Sequence, residues 1–247
     1  MTRLLFLWLL LASTPMAWSQ SQQIPANFQK VLDTHGFKKW QQIQGLSFAK
    51  GEGEYTEYHL VSLADRKIRV EGSGYTIGYD GSDVWISPAD AAFGGSPRFY
   101  HNLFFYFFAM PFVLGDPGIT YTEVPNATLQ GNSYAGVKIS FGSDVGNSPD
   151  DNYIVYYDPQ TYKMAWLMYT STYHSGQASS KYNLIKYESW MEAPGMLFPQ
   201  VISWYNYQNG TVGEEQSSIT FPSVDVSMQA PLDSRFARPE DSRIAEK

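Results

Sequence analysis

Cysteine is absent from the 247-residue chain, which excludes disulfides, thiolate metal ligands, a cysteine nucleophile and acylation at a cysteine. Basic residues are scarce: 17 Lys and Arg stand against 24 Asp and Glu, for a net charge of −7. Such a chain has no electrostatic footprint for DNA or RNA and would not cling to anionic lipid headgroups by net charge alone. There are only 4 His (His35, His59, His101 and His174), none in an H-x-x-x-H or H-E-x-x-H arrangement. A zinc centre is therefore not expected, and no motif implies another metal or a cofactor. No G-x-S-x-G elbow occurs, which disfavours an α/β-hydrolase; a scattered Ser/His/Asp triad stays open, because triads are defined by geometry. Gly72-Ser73-Gly74 lacks a following Lys-Ser or Lys-Thr and reads as a turn, not a phosphate loop. No apolar run reaches the about 20 residues that a membrane span requires.

At the N-terminus, Arg3 precedes an apolar stretch from Leu4 to Ala12, and Ala17-Trp18-Ser19 forms a small-x-small cleavage pattern. Residues 1–19 read as a secretory signal peptide, which places the mature chain in a periplasm or outside the cell. Without disulfides, an exported chain depends on its hydrophobic core. No Pro/Ser-rich linker, charge block or repeat divides residues 20–233, which read as a single β-rich domain; residues 234–247 read as a charged, flexible tail.

The segment from Arg98 to Asp116 carries the most information. An unbroken apolar run from Leu103 to Leu114 contains Phe104, Phe105, Tyr106, Phe107, Phe108 and Phe112. Its length fits a buried helix of about 10–14 residues, and a helix apolar on every face must be enclosed on every side. Ser96-Pro97 starts it, Pro111 kinks its last turn, and Gly115-Asp116-Pro117-Gly118 stops it.

Around this helix the chain reads as strand. Phe28, Val31, Leu32 and His35 first mark one face of an N-terminal helix, with Gly36 interrupting before Trp40 and Ile43. From Ser47 onward, β-branched and aromatic runs alternate with turn signals at Asp80-Gly81, Asp158-Pro159 and Asn209-Gly210. From Tyr162 to Tyr173, Tyr162, Met164, Trp166 and Met168 fall on one expected face. Glu52, Glu54 and Glu57 read as cross-strand partners of Arg66, Lys67 and Arg69. Asp144, Asp150 and Asp151 crowd one loop whose spacing departs from an EF-hand; a solvated turn is the simpler reading, with Ca²⁺ binding the alternative.

Several of these marks, in this order, resemble the outer-membrane lipoprotein-sorting (LolA-like) proteins. They are Asp33-Thr34-His35-Gly36 with Trp40, Ile43 and Leu46-Ser47-Phe48; Tyr79-Asp80-Gly81-Ser82-Asp83-Val84-Trp85; Tyr156-Tyr157-Asp158-Pro159-Gln160-Thr161; and Gly195-Met196-Leu197-Phe198-Pro199. More narrowly, the string from Arg98 to Ile119 resembles a group of secreted Bacteroidota proteins. The resemblance implies an unclosed β-barrel lined by hydrophobic side chains and lidded by helices, whose cavity carries acyl chains or other lipids in characterised relatives. No motif for docking to a membrane complex is present, and the lipidated Cys of membrane-anchored relatives is missing.

The expected fold is mainly β with α: a curved antiparallel sheet or unclosed half-barrel wrapped on the apolar helix, with a second helix at the N-terminus. The expected function is binding, to carry or sequester a lipid or other hydrophobic molecule, with no catalytic step; an envelope protein is the candidate protein partner. Leu103, Phe104, Phe107, Phe108 and Met110 would line the cavity from the helix, and Trp85, Met164, Trp166, Met168 and Trp204 from the sheet. Arg98, Tyr100, His101 and Asn102 would mark its polar mouth, or else simply cap the helix. Two other classes compete: a non-catalytic envelope interaction module with a filled core, and an esterase-like or glycan-acting enzyme.

Overall fold

The computed structural model describes residues 23–141, 152–171 and 181–246. The signal-peptide segment, His174 and the acidic loop with Asp144, Asp150 and Asp151 lie outside the described residues.

Helix α1 (Ala26–His35) buries the expected stripe of Phe28, Val31, Leu32 and His35. Gly36 ends it with φ of 92°, a left-handed conformation that costs a side chain energy but not glycine. The chain then turns into α2 (Phe37–Trp40), and both helices lie on one long strand of the second sheet.

Five strands follow: β1 (Gly45–Lys50), β2 (Glu57–Ser62), β3 (Ile68–Gly72), β4 (Tyr75–Tyr79) and β5 (Val84–Ser87). Asp80 sets the β4–β5 turn by accepting from the Ser82 and Asp83 amides at 2.8 and 2.9 Å. After helix α3 (Pro97–Phe108) come β6 (Ile119–Leu129), β7 (Asn132–Phe141), β8 (Asn152–Tyr157), β9 (Met164–Tyr169), β10 (Asn183–Ala193), β11 (Met196–Gln208) and β12 (Thr211–Thr220). Finally β13 (Ser223–Ser227) and β14 (Arg243–Ile244) return to the first group. Two antiparallel seven-stranded sheets result, ordered β13-β1-β2-β3-β4-β5-β14 and β12-β11-β10-β9-β8-β7-β6. The chain crosses between them at Phe221-Pro222, and the Gly51 amide donates to the Thr220 carbonyl at that corner. At the other side β14 and β6 end their sheets without pairing to each other, so the half-barrel is unclosed, as expected.

Two sequence expectations change here. First, the tail from residue 234, expected as a flexible segment, packs on the first sheet. Phe236 and Ala245 are buried, β14 pairs with β5, and the Phe236 carbonyl accepts from Trp85 Nε1 at 3.3 Å. The tail's charges masked these apolar anchors. Second, the strand expected from Tyr162 to Tyr173 begins only at Met164, because Tyr162 sits at φ of 57° in the preceding turn.

The Gly36 conformation gives a direct test. A Cβ there would meet the Gly195 carbonyl and lie 2.9 Å from Met196 Cα. Gly36→Ala should therefore cost about 1–3 kcal/mol, read as a lower thermal midpoint. An unchanged midpoint would contradict the packing of the α1–α2 corner on the β10–β11 turn.

Candidate functional site

Helix α3 is the occupant of the half-barrel. Ser96 Oγ accepts from the Phe99 amide at 3.3 Å and Pro97 takes the first helical position, so the N-terminus is set by local sequence. The helix was expected to continue, kinked, past Pro111; instead it ends at Phe108, with a 3-10 turn at Phe112–Gly115. Pro111 has no amide to donate to the Phe107 carbonyl. The Tyr187 hydroxyl from β10 donates to that carbonyl instead, at 2.9 Å, inside the core.

On one side α3 lies against β3, β4 and β5. On the other its rings meet the second sheet: Phe107 packs on Tyr169 and Trp204 with centroids 5.4 and 5.7 Å apart. Phe108 stacks between Phe48 at 4.2 Å and Phe198 at 5.2 Å. The ring chain runs on through Phe112 to Trp40 at one end, and through Phe48 to His59 at the other. Each fully buried ring of this kind contributes about 1.5–3 kcal/mol, and favourable ring geometry adds about 0.5–1.5 kcal/mol.

Of the cavity residues expected from α3, Phe104, Phe107, Phe108 and Met110 are buried in the central cluster and Leu103 packs against it half-buried. From the sheets, Met164 joins the same cluster and Trp204 packs on it. The remaining three face away from α3. Trp85 stands between Val84 and Ile86, which both point at the central cluster, so strand alternation turns Trp85 outward beneath the C-terminal segment. Gly78 on β4 makes room there, since a Cβ would run into the Trp85 indole. Trp166 and Met168 belong to a smaller cluster with Leu129, Tyr156 and Leu184 on the far face of the second sheet. A bulge explains this: Tyr156 pairs with Trp166 but Tyr157 pairs with Met164, leaving Ala165 as an extra residue that reverses the alternation.

The polar residues at the start of α3 divide between two places. Arg98, His101 and Asn102 line a cleft of about 240 Å³ between α3 and β3–β5, over a floor of Ile68, Val84 and Phe105. Arg66, from the β2–β3 turn, closes one side; its Nη2 donates to Asp116 at 2.6 Å. His101 Nδ1 donates to the Arg98 carbonyl at 2.7 Å, which leaves Nε2 as the acceptor of the neutral ring.

Tyr100 points the other way, into a buried polar knot that the sequence reading missed. Its hydroxyl lies 2.7 Å from both Glu57 carboxylate oxygens. Lys50 Nζ donates to Glu57 at 2.8 Å and to the Tyr100 oxygen at 2.8 Å, and the Tyr75 hydroxyl also donates to Glu57. His59 Nε2 lies 3.4 Å from the carboxylate, within ion-pair distance but without hydrogen-bond geometry. The expected cross-strand pairing of Glu57 with Arg66, Lys67 or Arg69 does not form: those cations pair with Asp116, with Asp65 and Asp233, and with Glu71, respectively. The overlooked signal was that Glu57 and His59 share the strand face of Val61, a core residue. Burial pushes Glu57 up, but the contacts from His59, Lys50, Tyr75 and Tyr100 outweigh it and hold the carboxyl at about 2. The knot ties α3, through Tyr100, to β1, β2 and β4.

Burial lowers three imidazoles: His35 and His101 to about 4, and His59 in the same direction. In the unfolded chain they take up protons near 6.5, so acid favours unfolding. The contribution of His35 and His101 is complete above about pH 6.5 and is lost toward about pH 4, and that of His59 weakens with acid in the same direction; that of Glu57 is complete above about pH 4.5 and is lost toward about pH 2. Thermal melts between about pH 7.5 and pH 4.5 should show a midpoint falling by several degrees. A flat midpoint would contradict the burial of these rings.

Residues 96–217, from the α3 cap through most of the second sheet, match the sequence profile of a family of unknown function (DUF6503). No curated protein matches the chain. Among solved structures, a LolA superfamily protein from Nitrosomonas europaea is similar with a TM-score of 0.50 at 12% identity, covering 85% of this chain and 97% of that one. A DUF1329 family protein from Desulfovibrio piger gives a TM-score of 0.40 at 11% identity, over 82% and 90% of the two chains. The first of these likenesses shows the fold: two unclosed antiparallel sheets around helices, in the LolA-like arrangement.

Proposed function

We propose that this chain is an exported binding protein that carries or sequesters a lipid or another hydrophobic ligand, with α3 as the displaceable occupant of the ligand's place. One observation carries the reading: the concave apolar surface is covered by a separate aromatic helix, not by the two sheets closing on each other. That surface would be uncovered if α3 moved out about the Gly115–Gly118 segment. An acyl chain would then replace the rings of Phe104, Phe107 and Phe108, each methylene removed from water contributing about 0.8 kcal/mol. Leu103, Met110, Met164 and Trp204 would line the same channel; Arg98, His101 and Asn102 stand at its polar edge. The likeness to a LolA superfamily protein supports an envelope setting, consistent with the signal-peptide reading of residues 1–19. No helix among the described residues is long and apolar enough to cross a membrane.

This reading invokes no bond-making step. The described His side chains bond backbone carbonyls or contact Glu57. An interaction module with a permanently filled core is the second reading, favoured by one fact: ring centroids 4.2–5.3 Å apart along α3 leave no room for an acyl chain while the helix is seated.

Native mass spectrometry separates the two. The protein, purified from its own host without detergent, should carry a discrete stoichiometric adduct that solvent extraction identifies as lipid. Tyr100→Phe, which frees α3 from Glu57, should take up added host lipid faster than wild type. A clean apo mass that persists after incubation with host lipids would sink the carrier reading and favour the filled module.

A further inference from the structure

The cleft beside α3 is lined by two guanidinium groups, Arg66 and Arg98. Arg66 gives Nη2 to Asp116, and its guanidinium lies 5.2 Å from the centre of the Phe105 ring. Its Nη1 is buried without a hydrogen-bond acceptor among the described residues. Arg98, on the opposite wall, makes no ion pair among the described residues. Arg98 therefore has its guanidinium fork to offer to an anion in the cleft. Two guanidinium groups thus flank one small cavity in a chain of net charge −7, with Asp116 already engaged.

Size and chemistry narrow the ligand. A volume of about 240 Å³ falls below the about 300–1,000 Å³ typical of drug-sized sites, so the cleft fits a headgroup and not a whole lipid. Guanidinium forks match the paired oxygens of phosphate and carboxylate. His101, kept neutral by burial and with Nδ1 committed to the Arg98 carbonyl, offers Nε2 as an acceptor, the complement of a ligand hydroxyl.

We infer that the Arg66–Arg98 cleft is a binding site for a phosphate ester, with Arg98 its decisive cation. The inference deepens the carrier reading by giving the ligand an anionic headgroup, and rests on that reading only for the headgroup being a lipid's. The same chemistry is offered by a free phosphate ester, so the test carries both.

Calorimetric titrations would compare dihexanoyl phosphatidylglycerol, dihexanoyl phosphatidylcholine, glycerol phosphate and inorganic phosphate on the wild-type chain and on Arg98→Gln. This variant leaves the Arg66–Asp116 pair intact; circular dichroism and the thermal midpoint would verify its fold. The anionic lipid should bind more tightly than the choline lipid, weaken with salt, and lose about tenfold or more in affinity in Arg98→Gln. Glycerol phosphate or inorganic phosphate binding with the same Arg98 dependence, and no lipid binding, would uphold the cleft, name a free phosphate as its ligand and sink the carrier reading. Equal affinity for both lipids, unchanged in Arg98→Gln, would overturn the anion site and leave hydrophobic carriage standing. Binding of none of the four probes would overturn the anion site and count against carriage.

Discussion

The structure depends on the burial of an aromatic helix between two sheets that do not close on each other. Every other arrangement follows from how α3 is held. Its rings fill the space that facing sheets would otherwise cover, and the stack from Trp40 through Phe112, Phe198, Phe108 and Phe48 to His59 joins α2, α3, β11, β1 and β2 into one core. Aromatic side chains suit this task, because each buries a large area with few rotatable bonds. The cost is exposure of the same surface if the helix leaves, unless another apolar body takes its place.

Polar groups then decide where α3 sits along that apolar surface, which by itself is non-directional. Near its N-terminus Tyr100 reaches the Glu57 carboxylate; at its C-terminus the Phe107 carbonyl, freed by Pro111, is taken by Tyr187. Between them lies a face that does not join the core: Arg98 and Asn102 border the cleft, and Tyr106 is 39% exposed. One helix therefore combines an apolar plug, two polar anchors and one wall of a charged cleft. The buried knot resists acid only while Glu57 stays ionised, so seating of α3 and electrostatics are linked.

Much of the fold was legible in the sequence, because period and punctuation are local. The α1 stripe and the turns at Asp80, Asp158 and Asn209 follow from residue spacing and from side chains that bond their own backbone. The start of α3 at Ser96-Pro97 was legible for the same reason. What failed was whatever depends on a partner distant in sequence. Trp166 and Met168 lie opposite the expected face because a single bulge at Ala165 resets the alternation, and a bulge leaves no mark in the strand's own residues. Trp85 could have been placed correctly, since Val84 and Ile86 compete with it for the inner face. Glu57 was misread because its partners Lys50, Tyr75 and Tyr100 come from three separate elements. For the cleft, Arg98, His101 and Asn102 were legible as a polar group, but Arg66 was not, because the β2–β3 turn reaches α3 only in the folded sheet.

The central claim is that α3 is a movable occupant and not a permanent core element. The lack of cysteine makes the direct measurement clean: Tyr106→Cys on α3 and Tyr58→Cys on β2 are both at exposed positions and leave no competing thiol to label. Pulsed electron–electron resonance between spin labels at these sites would report the distance from α3 to the first sheet. The account predicts one narrow distance for the lipid-free protein and a longer, broader distribution at saturating lipid. A distribution unchanged by bound lipid would contradict it.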